Sequence, residues 1–139
     1  GAEAPDWKLA DPNGVEHSLR DLRGKVVLLD FWATWCGPCK QAMPHLQELH
    51  VKFGDQGLAV IGISIRENED GDPAGYFASK QYTYLCLLRG EQPAKDYGVG
   101  GIPHIFLIDK AGKVAFQTVG MGPKGVEQLA AKVAELLRD

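Results

Sequence analysis

Two apolar runs organise the chain, Val26 to Trp32 and Leu58 to Ile65, both dominated by branched aliphatic and aromatic residues. Short runs without polar alternation suit strands buried on both faces of a sheet. From about Pro38 to Phe53 the period changes, and Ala42, Leu46, Leu49 and Phe53 recur at helical spacing, with Pro44 inside the helix as an expected kink. A polar, turn-rich connection from Arg66 to Pro73 leads to a helix near Pro73 to Gln81 and a strand near Thr83 to Leu88. A short helix near Gln92 to Tyr97, a glycine-rich approach at Gly98 to Gly101 and a strand from His104 to Ile108 follow. The Asp109-Lys110-Ala111-Gly112 turn feeds a strand from Lys113 to Val119. A last helix carries Val126, Leu129, Ala130, Val133, Leu136 and Leu137 on one stripe.

The start reads as a hairpin, with strands near Trp7 to Leu9 and Val15 to His17 around Asp11-Pro12-Asn13-Gly14; Ser18 is positioned to cap a short helical turn ending at Gly24. The order β-β-β-α-β-α-β-(α)-β-β-α alternates in the middle and closes on a hairpin. It predicts an α/β fold with a mixed central sheet and helices on both faces. With 139 residues, no repeat and no linker-like tract, residues 1–139 are expected to form one domain.

Composition narrows the function by exclusion. A net charge of −3 provides no basic field, so neither nucleic acid nor an anionic membrane is expected as the main partner. No apolar run reaches the roughly 18 residues of a membrane span, and Gly1 to Pro5 has neither the basic flank nor the apolar stretch of a leader; any tether is expected outside this sequence. Three cysteines cannot all pair within one chain, which favours one dithiol and a bystander.

The spacing selects Cys36 and Cys39, in Trp35-Cys36-Gly37-Pro38-Cys39, at the end of a buried strand and the start of a helix. Unpaired N–H groups and the dipole at a helix N-terminus stabilise an anion, and cysteines so placed have pKa values lowered to about 3.5 to 7.5. Cys36 is therefore the expected nucleophile. Cys39, one turn further in, is expected to resolve the mixed disulfide that Cys36 forms. Gly37 permits close approach of another backbone, and Pro38 suits a first helical turn. Asp30, the one acid in its apolar run, is a candidate proton relay because burial raises a carboxyl pKa; the less favoured alternative is a strand acid turned to solvent or to a helix cap.

The stretch Val27-Leu28-Leu29-Asp30-Phe31-Trp32-Ala33-Thr34-Trp35-Cys36-Gly37-Pro38-Cys39-Lys40 resembles the active-site segment of thioredoxins. Ala4-Pro5-Asp6-Trp7, Gly24-Lys25, Met43-Pro44, and Tyr97 to Pro103 followed by Phe106-Leu107-Ile108-Asp109 resemble more narrowly the TlpA/ResA-like branch. The resemblance implies a thioredoxin fold with an added N-terminal β-hairpin and a central insertion. It also implies a disulfide reductase that is often periplasmic or membrane-tethered in bacteria, with cytochrome c maturation as one typical role. Its partners would be protein thiols or disulfides and an upstream electron donor, and the chain is expected to act as a monomer with no cofactor beyond the Cys36–Cys39 disulfide. Ile102-Pro103 would be a cis peptide facing the dithiol, Gly101 and Ile102 could pair with an extended substrate segment, and Trp35 would offer a contact surface.

Two departures from the thioredoxin pattern stand out. Val60-Ile61-Gly62-Ile63 lacks the lysine that accompanies the buried acid of thioredoxins, and His104 follows Pro103 where a small or hydroxylated residue is usual. His104 could tune the dithiol or bind a metal. The rival functions are a general cytosolic thioredoxin and a copper-handling protein of this fold using His104 or His45. A peroxiredoxin-like peroxidase is a third, poorly suited by two cysteines within one turn. A structural zinc site lacks a second cysteine pair, and Glu67 to Asp72 lacks the spacing of a calcium loop, so no metal is expected. Cys86 reads as a small buried hydrophobe, and His17, His45 and His50 as surface or helix-face residues.

Overall fold

The computed structural model describes residues 1–122 and 124–139. A five-stranded sheet runs in the order β5-β4-β3-β6-β7, built from β3 (Val26–Trp32), β4 (Leu58–Ser64), β5 (Leu85–Leu87), β6 (His104–Ile108) and β7 (Val114–Val119). The central strand β3 is parallel to β4 and antiparallel to β6, so the sheet is mixed. All seven residues of β3 are buried, which accounts for its unbroken apolar run.

Helices α1 (Gly37–Phe53) and α4 (Gly125–Arg138) cover one face. Their stripes, Cys39, Met43, Leu46 and Leu49 from α1 and Leu129, Val133 and Leu136 from α4, share a core cluster with Val26, Leu28 and Trp32 of β3. Each fully buried large side chain contributes about 1.5–3 kcal/mol, so these stripes hold α1 rigidly on the sheet. The other face carries α3 (Glu91–Asp96) through Ala94, and the N-terminal hairpin through Trp7 and Leu19, packed on Leu29, Phe31 and Phe106. The central insertion is α2 (Pro73–Lys80) with β5, which extends the sheet beyond β4 by one parallel strand. Asp72 caps α2, accepting from the Gly75 N–H at 3.0 Å. Helix α1 continues through Pro44 to Phe53.

The hairpin differs from the expectation in register. Its strands are β1 (Lys8–Ala10) and β2 (Glu16–Ser18), one residue later than the sequence pattern suggests, and they form a separate two-stranded sheet. The cause is Asp11, whose carboxylate accepts from the Asn13 and Val15 N–H groups and draws Val15 into the turn. Ser18 caps nothing: it lies buried at the end of β2, and the helical turn at Arg20–Leu22 takes its cap from Asp6, which accepts the Arg20 N–H at 3.0 Å. Strand β5 is shorter than expected because Thr83 is claimed by α1, exchanging two hydrogen bonds with the Gln47 amide. Just past β5, the Leu88 N–H donates to the Ala10 carbonyl and ties the hairpin to the sheet edge. Among the described residues no helix is long and apolar enough to cross a membrane.

Candidate active site

Where β3 ends, the chain turns through Thr34 and Trp35, and the Cys36 N–H donates to the Ala33 carbonyl at 3.1 Å. Cys36 is extended (φ −92°, ψ 105°) and serves as the N-cap of α1, with its Sγ accepting the Cys39 N–H at 3.2 Å. A sulfur thus stands where helices usually place a serine or aspartate oxygen, so the groups that cap the helix also favour a thiolate on Cys36. Gly37 opens the helix and Pro38 fills its first turn, where no N–H is required. Cys36 and Cys39 are joined as a disulfide with Cα atoms 5.2 Å apart. Cys36 keeps 5% exposure and Cys39 none, so an incoming group meets Cys36 first.

Facing the dithiol is the turn before β6. Ile102-Pro103 is a cis peptide, and the Ile102 carbonyl oxygen lies 3.7 Å from Cys36 Sγ. The Pro103 carbonyl accepts the Gly120 N–H at 2.7 Å, which fixes this turn to the end of β7. Gly101, Gly37 and Pro38 are exposed and Ile102 is half-buried, so backbone on both sides of the dithiol is open to a partner. Trp35 is 50% exposed, but its indole N–H donates to the Arg66 carbonyl at 2.7 Å and pins the ring. Trp32, by contrast, is fully buried in the core, as strand alternation requires.

Asp30 is fully buried, which removes the solvent-facing reading. Alternation with Leu28 and Trp32 directs it to the sheet face covered by α1, the face whose cluster includes Cys36 and Cys39. Among the described residues neither carboxylate oxygen has a hydrogen-bond partner, and loss of solvent pushes its pKa up to about 8. Beside it on β4 is Gly62, its register partner, in the strand that lacks a lysine. A Cβ there would lie 3.1 Å from Phe77 Cζ, 3.2 Å from Trp32 Nε1 and 3.4 Å from Tyr84 Cε2. Aromatic rings crowd the space beside Gly62, and among the described residues no cation pairs with Asp30.

The remaining candidates are placed elsewhere. Gln117 Oε1 accepts a hydrogen bond from His104 Nε2 at 3.0 Å, and the His104 ring stacks on Phe106 at 4.2 Å, on the sheet face opposite the cluster that holds the dithiol. His45 lies on α1 beside Glu48, and His17 bonds Asp11. His50, half-buried, meets the Tyr84 ring. Cys86 is a free, buried thiol whose pKa is raised by burial to about 12. Among the described residues no group of three or more His, Cys, Asp or Glu side chains is placed to hold a metal ion.

The Arg66 to Pro73 connection does more than the solvated turn its composition suggests. Glu67 accepts from both the backbone N–H and the hydroxyl of Thr34, bracing the dithiol loop from behind. Arg66 has a left-handed φ of 54°, receives the Trp35 indole at its carbonyl, and donates its own N–H to Glu91 Oε2 at 2.8 Å. Its guanidinium donates to the Gly100 carbonyl at 2.6 Å and the Val99 carbonyl at 3.0 Å. These partners lie 25 to 34 positions away in sequence, so no local motif advertises them.

Comparison with known proteins places this geometry in a family. The model of the AhpC/TSA family matches residues 1–117. A thiol-disulfide oxidoreductase named ResA from Bacillus anthracis is 39% identical over 132 residues, covering 93% of this chain and 73% of that protein. Among solved structures, one from Chlorobium tepidum described as a thiol:disulfide interchange protein, DsbE, superposes with a TM-score of 0.84 at 35% identity, covering 99% of this chain and 96% of its own. The thioredoxin domain of a thiol-disulfide oxidoreductase from Bacteroides vulgatus gives 0.81 at 29% identity, with 96% of each chain covered. The sequence-based expectation and these relatives converge, and the chain belongs to the AhpC/TSA family of thioredoxin-like proteins as a ResA-like thiol-disulfide oxidoreductase.

Proposed function

We propose that this protein reduces disulfides in protein substrates by dithiol exchange at Cys36 and Cys39. The observation that carries the reading is the Cys39 N–H aimed at Cys36 Sγ, 3.2 Å away, at the head of a 17-residue helix. In the reduced protein the Cys36 thiolate attacks one sulfur of a substrate disulfide; a Cys36–substrate bond forms and the other substrate sulfur leaves as a thiolate. Cys39 then loses its proton and attacks Cys36 Sγ. The Cys36–Cys39 bond forms, the second substrate sulfur leaves, and two electrons have passed to the substrate.

Asp30 is proposed to relay the Cys39 proton. Burial raises its pKa to about 8, which lets it take up and release a proton near neutral pH. Trp35, Gly37, Pro38, Gly101, Ile102 and Pro103 are proposed to receive the substrate, with an extended segment pairing along Gly101 and Ile102. Reduction is favoured as the direction by the Gly37-Pro38 pair between the cysteines, a feature shared with reducing thioredoxins. The ResA-like resemblance supports a site of action outside the cytoplasm, a role in cytochrome c maturation, and electrons supplied by an upstream donor. We read residues 1–139 as one domain, a reading supported by one sheet that takes strands from Val26 to Val119, and propose that it acts as a monomer with no cofactor beyond its own disulfide.

The test is trapping together with a redox titration. Cys39→Ser should still attack and accumulate mixed disulfides, while Cys36→Ser should neither attack nor trap; equal trapping by both variants overturns the roles. Equilibration in graded thiol-disulfide buffers should give a Cys36–Cys39 potential near the reducing end of the range, about −270 mV, and a value near −120 mV would make the protein an oxidant. Peroxide consumption should stay at the level of the buffer.

A further inference from the structure

We infer that Arg66 is a positioning residue that holds the substrate-pairing backbone and the Trp35 ring in register with Cys36, and thereby sets the preference for an extended protein segment over a small disulfide. The inference rests on the exchange reading above and adds a residue that exchange itself does not require.

Three segments meet at the site: the dithiol loop, the connection after β4, and the Val99 to Pro103 turn. Arg66 bonds to both of the others. Its carbonyl holds the Trp35 indole at 2.7 Å, and its guanidinium fork holds the carbonyls of Gly100 and Val99 at 2.6 and 3.0 Å. A planar fork with fixed N–H directions constrains two acceptors at once, which a lysine ammonium cannot do in the same way. The segment it holds contains Gly98, Gly100 and Gly101, the residues with the most backbone freedom to lose on ordering. Without a clamp, a substrate strand would have to order that turn as it binds; with the clamp, the turn is already ordered, and affinity gains by the cost avoided.

The backbone of Arg66 points the same way. A left-handed arginine is strained and persists where its surroundings over-determine it. Here Glu91 fixes the N–H and Trp35 binds the carbonyl, while the side chain reaches the opposite turn. Arg66 also occupies the carbonyls of Val99 and Gly100, which leaves Gly101 and Ile102 as the stretch for a partner strand. The Ile102 carbonyl lies 3.7 Å from Cys36 Sγ, so a shift of that turn moves the docking edge directly against the sulfur.

The experiment compares two disulfides on the full chain: insulin, which must present a peptide segment and is turned over with dithiothreitol as the electron donor, and 5,5′-dithiobis(2-nitrobenzoate), which needs only Cys36 and is added to the pre-reduced protein freed of dithiothreitol. Arg66→Ala should lower kcat/KM on insulin about tenfold, mainly through KM, while the rate with the small disulfide stays within about twofold. The Cys36–Cys39 potential should not move. Arg66→Lys, with the charge but no fork, should recover part of the insulin rate. Arg66→Gly, which accepts the left-handed backbone, should repeat the Ala result and serves if Arg66→Ala does not fold. Equal losses on both disulfides, or insulin turnover within about twofold of wild type, overturns the inference. Failure of the exchange reading is a separate result, because wild type would then reduce neither compound.

Discussion

Replacing Asp30 with asparagine should stabilise the folded protein at neutral and alkaline pH and abolish a pH dependence that wild type carries. In the unfolded chain Asp30 ionises near its ordinary value of 3.8, whereas in the fold burial raises its pKa to about 8. Between those two values the native state keeps a proton that the unfolded state has released. Native stability from this group is therefore full below about pH 4, falls by about 1.36 kcal/mol per pH unit through the window, and levels off above about pH 8, where both states are ionised. At pH 7 the loss is on the order of 4 kcal/mol. Asparagine never ionises, so it escapes that loss. It does place an unpartnered amide where both carboxylate oxygens already lack partners, which costs about 1–3 kcal/mol. The net expectation is a gain of about 1–3 kcal/mol at pH 7, growing toward pH 8 and reversing below about pH 5. Urea unfolding of the oxidised protein at pH 5, 7 and 8.5, wild type against Asp30→Asn, reads this as a difference that grows with pH. A difference constant within about 0.5 kcal/mol across the range refutes the reasoning, since Asp30 would then titrate alike in both states.

Gly62→Ala should cost about 1–3 kcal/mol in the same assay, because the new methyl would press on Phe77, Trp32 and Tyr84 inside a filled core; a neutral result would show that these rings can give way. In the reduced native protein an alkylating reagent should modify Cys36 quickly and Cys86 only on unfolding, and Cys86→Ala should leave exchange unchanged; native-state labelling of Cys86, followed by mass spectrometry, would contradict its burial. Asp6→Ala should lower stability by about 1 kcal/mol through loss of the Arg20 cap, measured as a shift in the urea midpoint; Ser18→Ala should not act by this route, since Ser18 caps nothing.

How much of this was legible beforehand depends on the range of the interaction. Val26 to Trp32, the helix after it and the Cys36-Cys39 spacing are local patterns: burial on both faces removes alternation, and a helix start beside a strand end creates the anion site. Both survive in the structure nearly residue for residue. The hairpin slipped by one residue because an aspartate side chain competed with the backbone for the Val15 N–H, and apolar periodicity does not register such a competition. Asp30 was conspicuous as an acid in an apolar run, yet only the folded sheet shows that Gly62 beside it admits aromatic rings instead of a countercharge.

Arg66 lies at the far end of that scale. In the sequence it is the first polar residue after a buried strand, the commonest place for an unremarkable surface charge. Its importance comes from a left-handed turn that aims one residue's N–H, carbonyl and guanidinium at three separate segments. Dithiol chemistry needs a few residues at short spacing, and those can be read as a motif. The proposed recognition of a protein substrate needs the dithiol loop and the cis-proline turn, more than 60 residues apart, held at one separation, and we assign that separation to side chains with no motif of their own. The reactive part of the site is therefore the part a sequence displays, and the selective part is assembled only when β3, β4 and β6 bring their ends together.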